Sequence, residues 1–266
     1  MDAASVSMIS SPSALQKVLA PLLMVTALLV SPARAQDAAD DAWHYVLEPY
    51  IMFPNMQGTV GLGNHDGPVD EDPGDIFSNL EMGAMLYAEA NNGSWAFSSD
   101  LLYMKLGADV EPRGILDSGE VEVAQVGWEL AAMRRVSPWL ELGVAAVYNS
   151  IEAELNLVFI PVAGMTPVIG RKTDQDWIDP VLVARVTHDL NDKWFLHGRG
   201  NIGGFGVGSD LTWQIQLDAG YRFSDRAYMT LGYRVIDIDY AHGSGADRFV
   251  YDMSTFGPQL RFGFRF

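Results

Sequence analysis

The chain reads as an all-β protein, a closed antiparallel transmembrane β-barrel of ten strands, with eight or twelve as the neighbouring counts. Three observations predict it: an export-type N-terminus, segments in which oily and polar residues alternate with period two, and connections that alternate between short turns and longer loops.

Residues 1–35 have the layout of a cleaved secretion signal. Lys17 precedes an apolar run from Val18 to Val30, and Ala33-Arg34-Ala35 supplies a small-residue cleavage site. That 13-residue run falls short of the roughly 20 apolar residues that a spanning helix needs. The remaining chain, 36–266, carries 15 Lys+Arg against 33 Asp+Glu, a net charge of −18. Such a balance excludes a nucleic-acid partner, which asks for a basic footprint. There is no cysteine, so an exported chain of this kind has no disulfide staple and stability must come from the fold.

The last strand carries the clearest signal. From Thr255 to Phe266, Phe256, Pro258, Leu260, Phe262, Phe264 and Phe266 share one face, and Gly257, Gln259, Arg261, Gly263 and Arg265 share the other. An oily aromatic face suits lipid and the polar face suits a lumen. A strand ending on Phe266 is also the expected handle for the barrel-assembly machinery, with outer-membrane lipid and lipopolysaccharide as the surroundings. The same alternation runs through Leu211–Phe223, Tyr228–Val235, Leu140–Asn149 and Ala124–Met133, and more loosely through the first three strands. It predicts strands at 43–53, 80–90, 94–106, 119–135, 139–157, 176–188, 193–206, 209–223, 226–240 and 249–266.

Short turns fall at Asn91-Asn-Gly93, Ser137-Pro138, Asp189–Asp192 and Ser224–Arg226. Longer connections at 54–79, 107–118, 158–175 and 241–248 alternate with them, and Val207-Gly-Ser209 is a tight turn on the long-loop side. Within the first of these, Gly58–Gly63 prolongs strand one or forms an extra strand. Asp75–Leu80 reads as a helical turn with Asp75 as its cap.

Inward positions assigned by alternation sort by charge. Strands one to five point Glu48, Glu81, Glu89, Asp100, Glu129 and Glu141 inward. Strands six to ten point Arg185, His197, Arg199, Arg222, Arg234, Arg261 and Arg265 inward, with Asp179 and Asp218 as acidic exceptions. Two readings stand. Either the walls pair across the interior and lock the barrel, since buried charge is tolerated only when paired, or water stays between them and the field orients small polar solutes in a narrow pore. Arg134 and Arg135, beside a short turn, read as interfacial.

The export signal, the alternating strands and the Phe-terminated last strand resemble small bacterial outer-membrane barrels of the broad OmpA/OmpW-like group. Glu48–Phe53, Asp75–Leu80, Leu86–Glu89 and Trp95–Tyr103 are similar to an uncharacterised subgroup of them. The resemblance spans nearly all of 36–266 and implies the barrel architecture; it carries no catalytic motif.

No G-x-S-x-G, H-E-x-x-H or P-loop pattern occurs. Asp237, Asp239, His242 and Asp247 could activate water at a loop rim, but at generic spacing; His44, His65 and His188 have no evident partners. The acidic loop with Asp66, Asp70, Glu71, Asp72 and Asp75 lacks calcium-loop spacing. No catalysis, cofactor or metal is expected. The expected function is a narrow charge-lined channel or binding barrel for small polar solutes in the cell outer membrane. A closed structural or adhesive barrel with partner-binding loops, and an outer-membrane hydrolase using 237–247, are the alternatives.

Overall fold

The computed structural model describes residues 42–112, 114, 116–160 and 168–266. The leader expected at 1–35 lies outside them. The strands are β1 (His44–Met52), β2 (Asn55–Leu62), β3 (His65–Glu71), β4 (Leu80–Asn91), β5 (Trp95–Val110), β6 (Leu116–Ser137) and β7 (Leu140–Phe159). They continue with β8 (Val168–Asp189), β9 (Trp194–Gly204), β10 (Leu211–Ser224), β11 (Ala227–His242) and β12 (Phe249–Arg265). One helical turn, α1 (Pro73–Ser78), precedes β4, and a 3-10 turn (Gly245–Asp247) joins β11 to β12.

Ten of these strands close on themselves. β1 pairs with β4 from His44↔Asn91 to Pro49↔Leu86, β4 to β12 each pair antiparallel with the next, and β12 returns to β1 from Val46↔Arg265 to Met52↔Gln259. Closure removes the unpaired edge that neither lipid nor water-free surroundings tolerate.

The two faces of the wall invert the usual soluble rule. On β10, Leu211, Ile215 and Leu217 are 40, 51 and 64% exposed, while Thr212, Gln214, Gln216 and Asp218 are at most 5% exposed. Oily side chains outside and polar side chains inside place the wall in lipid. At the short-turn rim an aromatic girdle marks the interface. Trp95 stacks beside Phe97 at 6.3 Å, Trp194 meets Tyr221 edge-on at 5.0 Å, and Arg134 lies over Trp95 at 5.6 Å. At the other rim the outward positions turn charged. Lys105 pairs with Glu81 and Glu122 at 2.7 and 2.9 Å, and Asp237 and Asp239 follow Val235 on β11.

Three expectations need correction. The connections at 107–118 and 158–175 are shorter than predicted, because β5 to β8 continue beyond the oily band with polar outward residues. Leaving lipid changes which side chains suit the outer face, but the backbone ladder still satisfies its own groups. The segment 54–79, expected as a connection with at most one extra strand, holds two. After the Phe53-Pro54 interruption, β2 continues the line of β1 along β12, from Asn55↔Phe256 to Leu62↔Phe249, and β3 folds back on it through Gly63 at φ +61°. The cap of α1 is Asp72, not Asp75; Asp75 is the reciprocal member of the capping box, accepting from the Asp72 backbone N–H.

Candidate functional site in the barrel lumen

The lumen is organised in three levels. The middle level is a set of ion pairs running from late strands to early ones. Arg185 on β8 bonds Glu89 on β4 and Glu141 on β7. Arg199 on β9 bonds Glu129 on β6, whose other oxygen accepts from Asn201 at 2.6 Å. Arg234 on β11 lies 3.2 Å from Asp100 on β5, and Arg261 on β12 donates from Nε to Glu48 on β1 at 2.8 Å. The paired arginines and carboxylates are all buried. In a low-dielectric interior an unpaired charge is prohibitive, and the arginine fork can hold a carboxylate at two points.

Phenols complete the level. Tyr50 donates to Asp100 at 2.8 Å and accepts from Arg234 at 3.0 Å; Tyr87 donates to Glu89 at 2.5 Å; Tyr228 donates to Glu48. Two inward glycines make room for rings. A Cβ on Gly263 would overlap the Tyr228 ring, and one on Gly220 would overlap Phe195. Without them neither ring could lie flat on its neighbouring strand.

Above, towards the long-loop rim, the lumen turns apolar and aromatic. Trp177 stacks on Tyr240 with centroids 3.9 Å apart and planes 7° apart, and Tyr251, Phe249, Met253, Ile151 and Ile238 pack around them. Val60, Leu62 and Val69 of the β2–β3 hairpin pack against this cluster. Beside it Asp179, fully buried, accepts from Trp177 Nε1 at 3.0 Å, from the Ser209 backbone N–H at 2.6 Å, from the Ser209 hydroxyl at 2.8 Å and from Asn149 Nδ2 at 3.2 Å. One carboxylate thereby ties β8 to the turn between β9 and β10.

Below, towards the short turns, the lumen widens into a vestibule of about 640 Å³. His197 reaches Asp218 at 3.1 Å, and Asp218 also accepts from Gln216 and Gln259. Arg222 pairs with the exposed Asp189 and lies 4.5 Å over Phe195, and Arg265 lies 4.8 Å over Tyr228. Arg135, expected at the interface, instead lines this vestibule and bonds Glu141 at 3.2 Å.

Of the thirteen residues assigned inward by charge, the structure brings nine into the buried middle level: Glu48, Glu89, Asp100, Glu129, Glu141, Arg185, Arg199, Arg234 and Arg261. His197, Arg222 and Arg265 line the vestibule without belonging to that buried level. Glu81 is a correction: the β4–β5 register shifts between Leu80 and Met82, and the slip puts Glu81 outside, on Lys105. The tyrosines of the middle level were not singled out, although Tyr50, Tyr87 and Tyr228 stand at inward steps of the same alternation. Asp237 accepts from the Ser254 hydroxyl, and His242 stacks parallel to Tyr240 at 6.4 Å with no carboxylate within ion-pair distance among the described residues. Among the described residues no group of three or more His, Cys, Asp or Glu is placed to hold a metal ion.

A closed antiparallel wall, oily outside and charged inside, defines an integral membrane β-barrel with the architecture of bacterial outer-membrane proteins. No protein-family model matches the chain, and no curated protein matches it. Among solved structures it is similar to the outer-membrane protease OmpT of Escherichia coli, with 10% identity over 89% of this chain and 100% of that one and a TM-score of 0.48. It is also similar to Ail, the attachment invasion locus protein of Yersinia pestis, at 8% identity over 85% and 99% of the chains with a TM-score of 0.37. A Pseudomonas aeruginosa FadL homologue aligns at 9% identity over 85% and 90% with a TM-score of 0.33. Proteins so distant share a style of wall; the assignment here rests on this chain's own pairing and surface.

Proposed function

We propose that this chain is a closed, non-conducting barrel of the bacterial outer membrane, which acts through what its two ends bind and not by passing solutes through. In this reading the leader directs export, the strand ending at Phe266 engages the assembly machinery, and the short-turn rim faces the periplasm. It places the chain among small barrels of the broad OmpA/OmpW-like kind, without catalysis.

One observation carries it: the four buried mid-lumen arginines are each paired with a carboxylate, three of them across the lumen and Arg261 along the β1–β12 seam, below an aromatic layer packed against the β2–β3 hairpin. Moving a solute past them would separate buried pairs, and removing one partner of such a pair costs about 3–5 kcal/mol. The channel reading has the vestibule in its favour, but the vestibule has a floor. Liposome swelling tests the proposal. Vesicles carrying the protein should swell in arabinose or glycine no faster than protein-free vesicles, and solute-dependent swelling would overturn it.

A further inference from the structure

We propose that the short-turn vestibule is a binding site for a small solute bearing a carboxylate or phosphate group. The inference does not depend on whether the lumen conducts.

The cavity, about 640 Å³, falls in the range of small-molecule sites. Its lining holds seven arginines and seven carboxylates, so formal charge does not choose the ligand. Commitment of those groups does. Six of the seven carboxylates, Glu48, Glu89, Asp100, Glu141, Asp189 and Asp218, already accept from arginine, histidine, tyrosine or amide donors, and the seventh, Asp225, is exposed at the mouth.

The donors are not used up. Arg226 and Arg265, at the mouth, have no carboxylate within ion-pair distance among the described residues; the Arg265 guanidinium rests only on the Tyr228 ring. Deeper in the lining, Arg199 commits Nη2 to Glu129 but leaves buried Nε and Nη1 without an acceptor, and the Thr230 hydroxyl is also unpartnered. A buried donor left unmade costs more than a formed bond contributes. The spare capacity is therefore for acceptor atoms, and a guanidinium prefers the paired oxygens of an oxyanion. This donor surplus sits in a chain of net charge −17, so it is local and not a reflection of composition. Tyr228 and Phe195 provide flat walls for the ligand's carbon skeleton.

The test is isothermal titration of the full chain, folded in uncharged detergent at low ionic strength, with succinate, with inorganic phosphate and with choline. Saturable binding of succinate or phosphate is expected, with choline silent. Whichever anion binds identifies the oxyanion. The pair R226Q/R265Q should weaken binding at least tenfold. Folding of the variant is checked by the shift in gel mobility on heating. If the pair does not fold, Arg265→Lys, which keeps the charge and loses the fork, should weaken it severalfold. Absence of binding by both anions, choline binding of equal strength, or unchanged affinity in the folded variants would overturn the assignment. Bilayer currents from the same preparation would count against the closed-lumen reading and leave this one standing.

Discussion

Arg261 on the last strand donates from Nε to Glu48 on the first at 2.8 Å, so the seam that closes the barrel is held by a buried ion pair as well as by its backbone ladder. Tyr228 donates to the same carboxylate, and the Arg261 guanidinium lies 4.6 Å over Tyr50 and 5.1 Å over Tyr87. Cutting one side strands the other in a dry interior. Glu48→Ala should destabilise the barrel by about 3–5 kcal/mol, measured by urea unfolding from lipid vesicles. Replacing both members with Leu and Met should recover most of that loss, because two apolar groups leave no charge unpaired.

Gly263→Ala tests the packing beneath that pair. The new methyl would push the Tyr228 ring off its strand and away from Glu48. Overpacking of this kind costs about 1–3 kcal/mol, read in the same unfolding assay. Gly93→Ala serves as the contrast: it has open space around it, and its cost comes only from the backbone at φ +81°.

Asp179 anchors the β9–β10 turn, and among the described residues no cation pairs with it. Asp179→Ala takes the acceptor from the Ser209 amide, the Ser209 hydroxyl and the Asn149 side-chain amide, while the Trp177 indole N–H keeps the Ser209 oxygen at 2.9 Å. The cost is about 1–3 kcal/mol for each donor left unpaired that water does not reach. Amide exchange at Ser209 should quicken well before that of the middle strands. Uniform quickening across the barrel would contradict a local tether.

The facing of β10 predicts opposite outcomes for neighbouring positions. Ile215 is 51% exposed on the lipid side, so Ile215→Arg should cost about 2–4 kcal/mol near the bilayer centre. Gln214→Glu, inside and beside Arg234, adds an anion next to a buried cation, with Arg234 now donating to it at 2.7 Å. It should be the milder change of the two.

Two charged groups beyond the oily band give opposite pH signatures. Arg248 bonds Asp66 at 2.6 and 3.1 Å, and this hydrogen bond holds the Asp66 carboxyl below its ordinary value of 3.8. A depressed acid contributes above its unfolded value and loses that contribution as pH falls through the folded one. The tie between the β2–β3 hairpin and the β11–β12 connection should therefore loosen only in strong acid. Asp239 is raised by partial burial first, then by Asp252, Asp210 and Asp237. Its charge opposes folding above the raised value and the penalty vanishes below 3.8, so Asp239→Asn should steady this rim at neutral pH. Exchange rates at Gly63 and Asp252, followed between pH 3 and 7 in wild type, D66N and D239N, check both signs.

The alternation along each strand made the barrel legible, and with it the inward facing of Glu89 and Arg185, though not their pairing, because a period of two assigns a side chain to one face without any knowledge of its neighbours. The same rule failed at Glu81, where one slipped residue reverses the face. It could not reveal the Trp177–Tyr240 stack or the four donors on Asp179, which join strands far apart in sequence. The β2–β3 hairpin was half visible: glycines at 58, 61 and 63 suggested strand and turn, but the acidic run through Pro68 reads as loop. Proline is tolerated there because β3 is the outer strand of its pairing.

Planar-bilayer recording of the refolded protein bears most directly on the charge-locked lumen. The paired arginines and the aromatic layer above them predict electrical silence in wild type. Stepwise currents that change size in Arg199→Ala would show that ions pass between the two charged walls, and the lock would not exist.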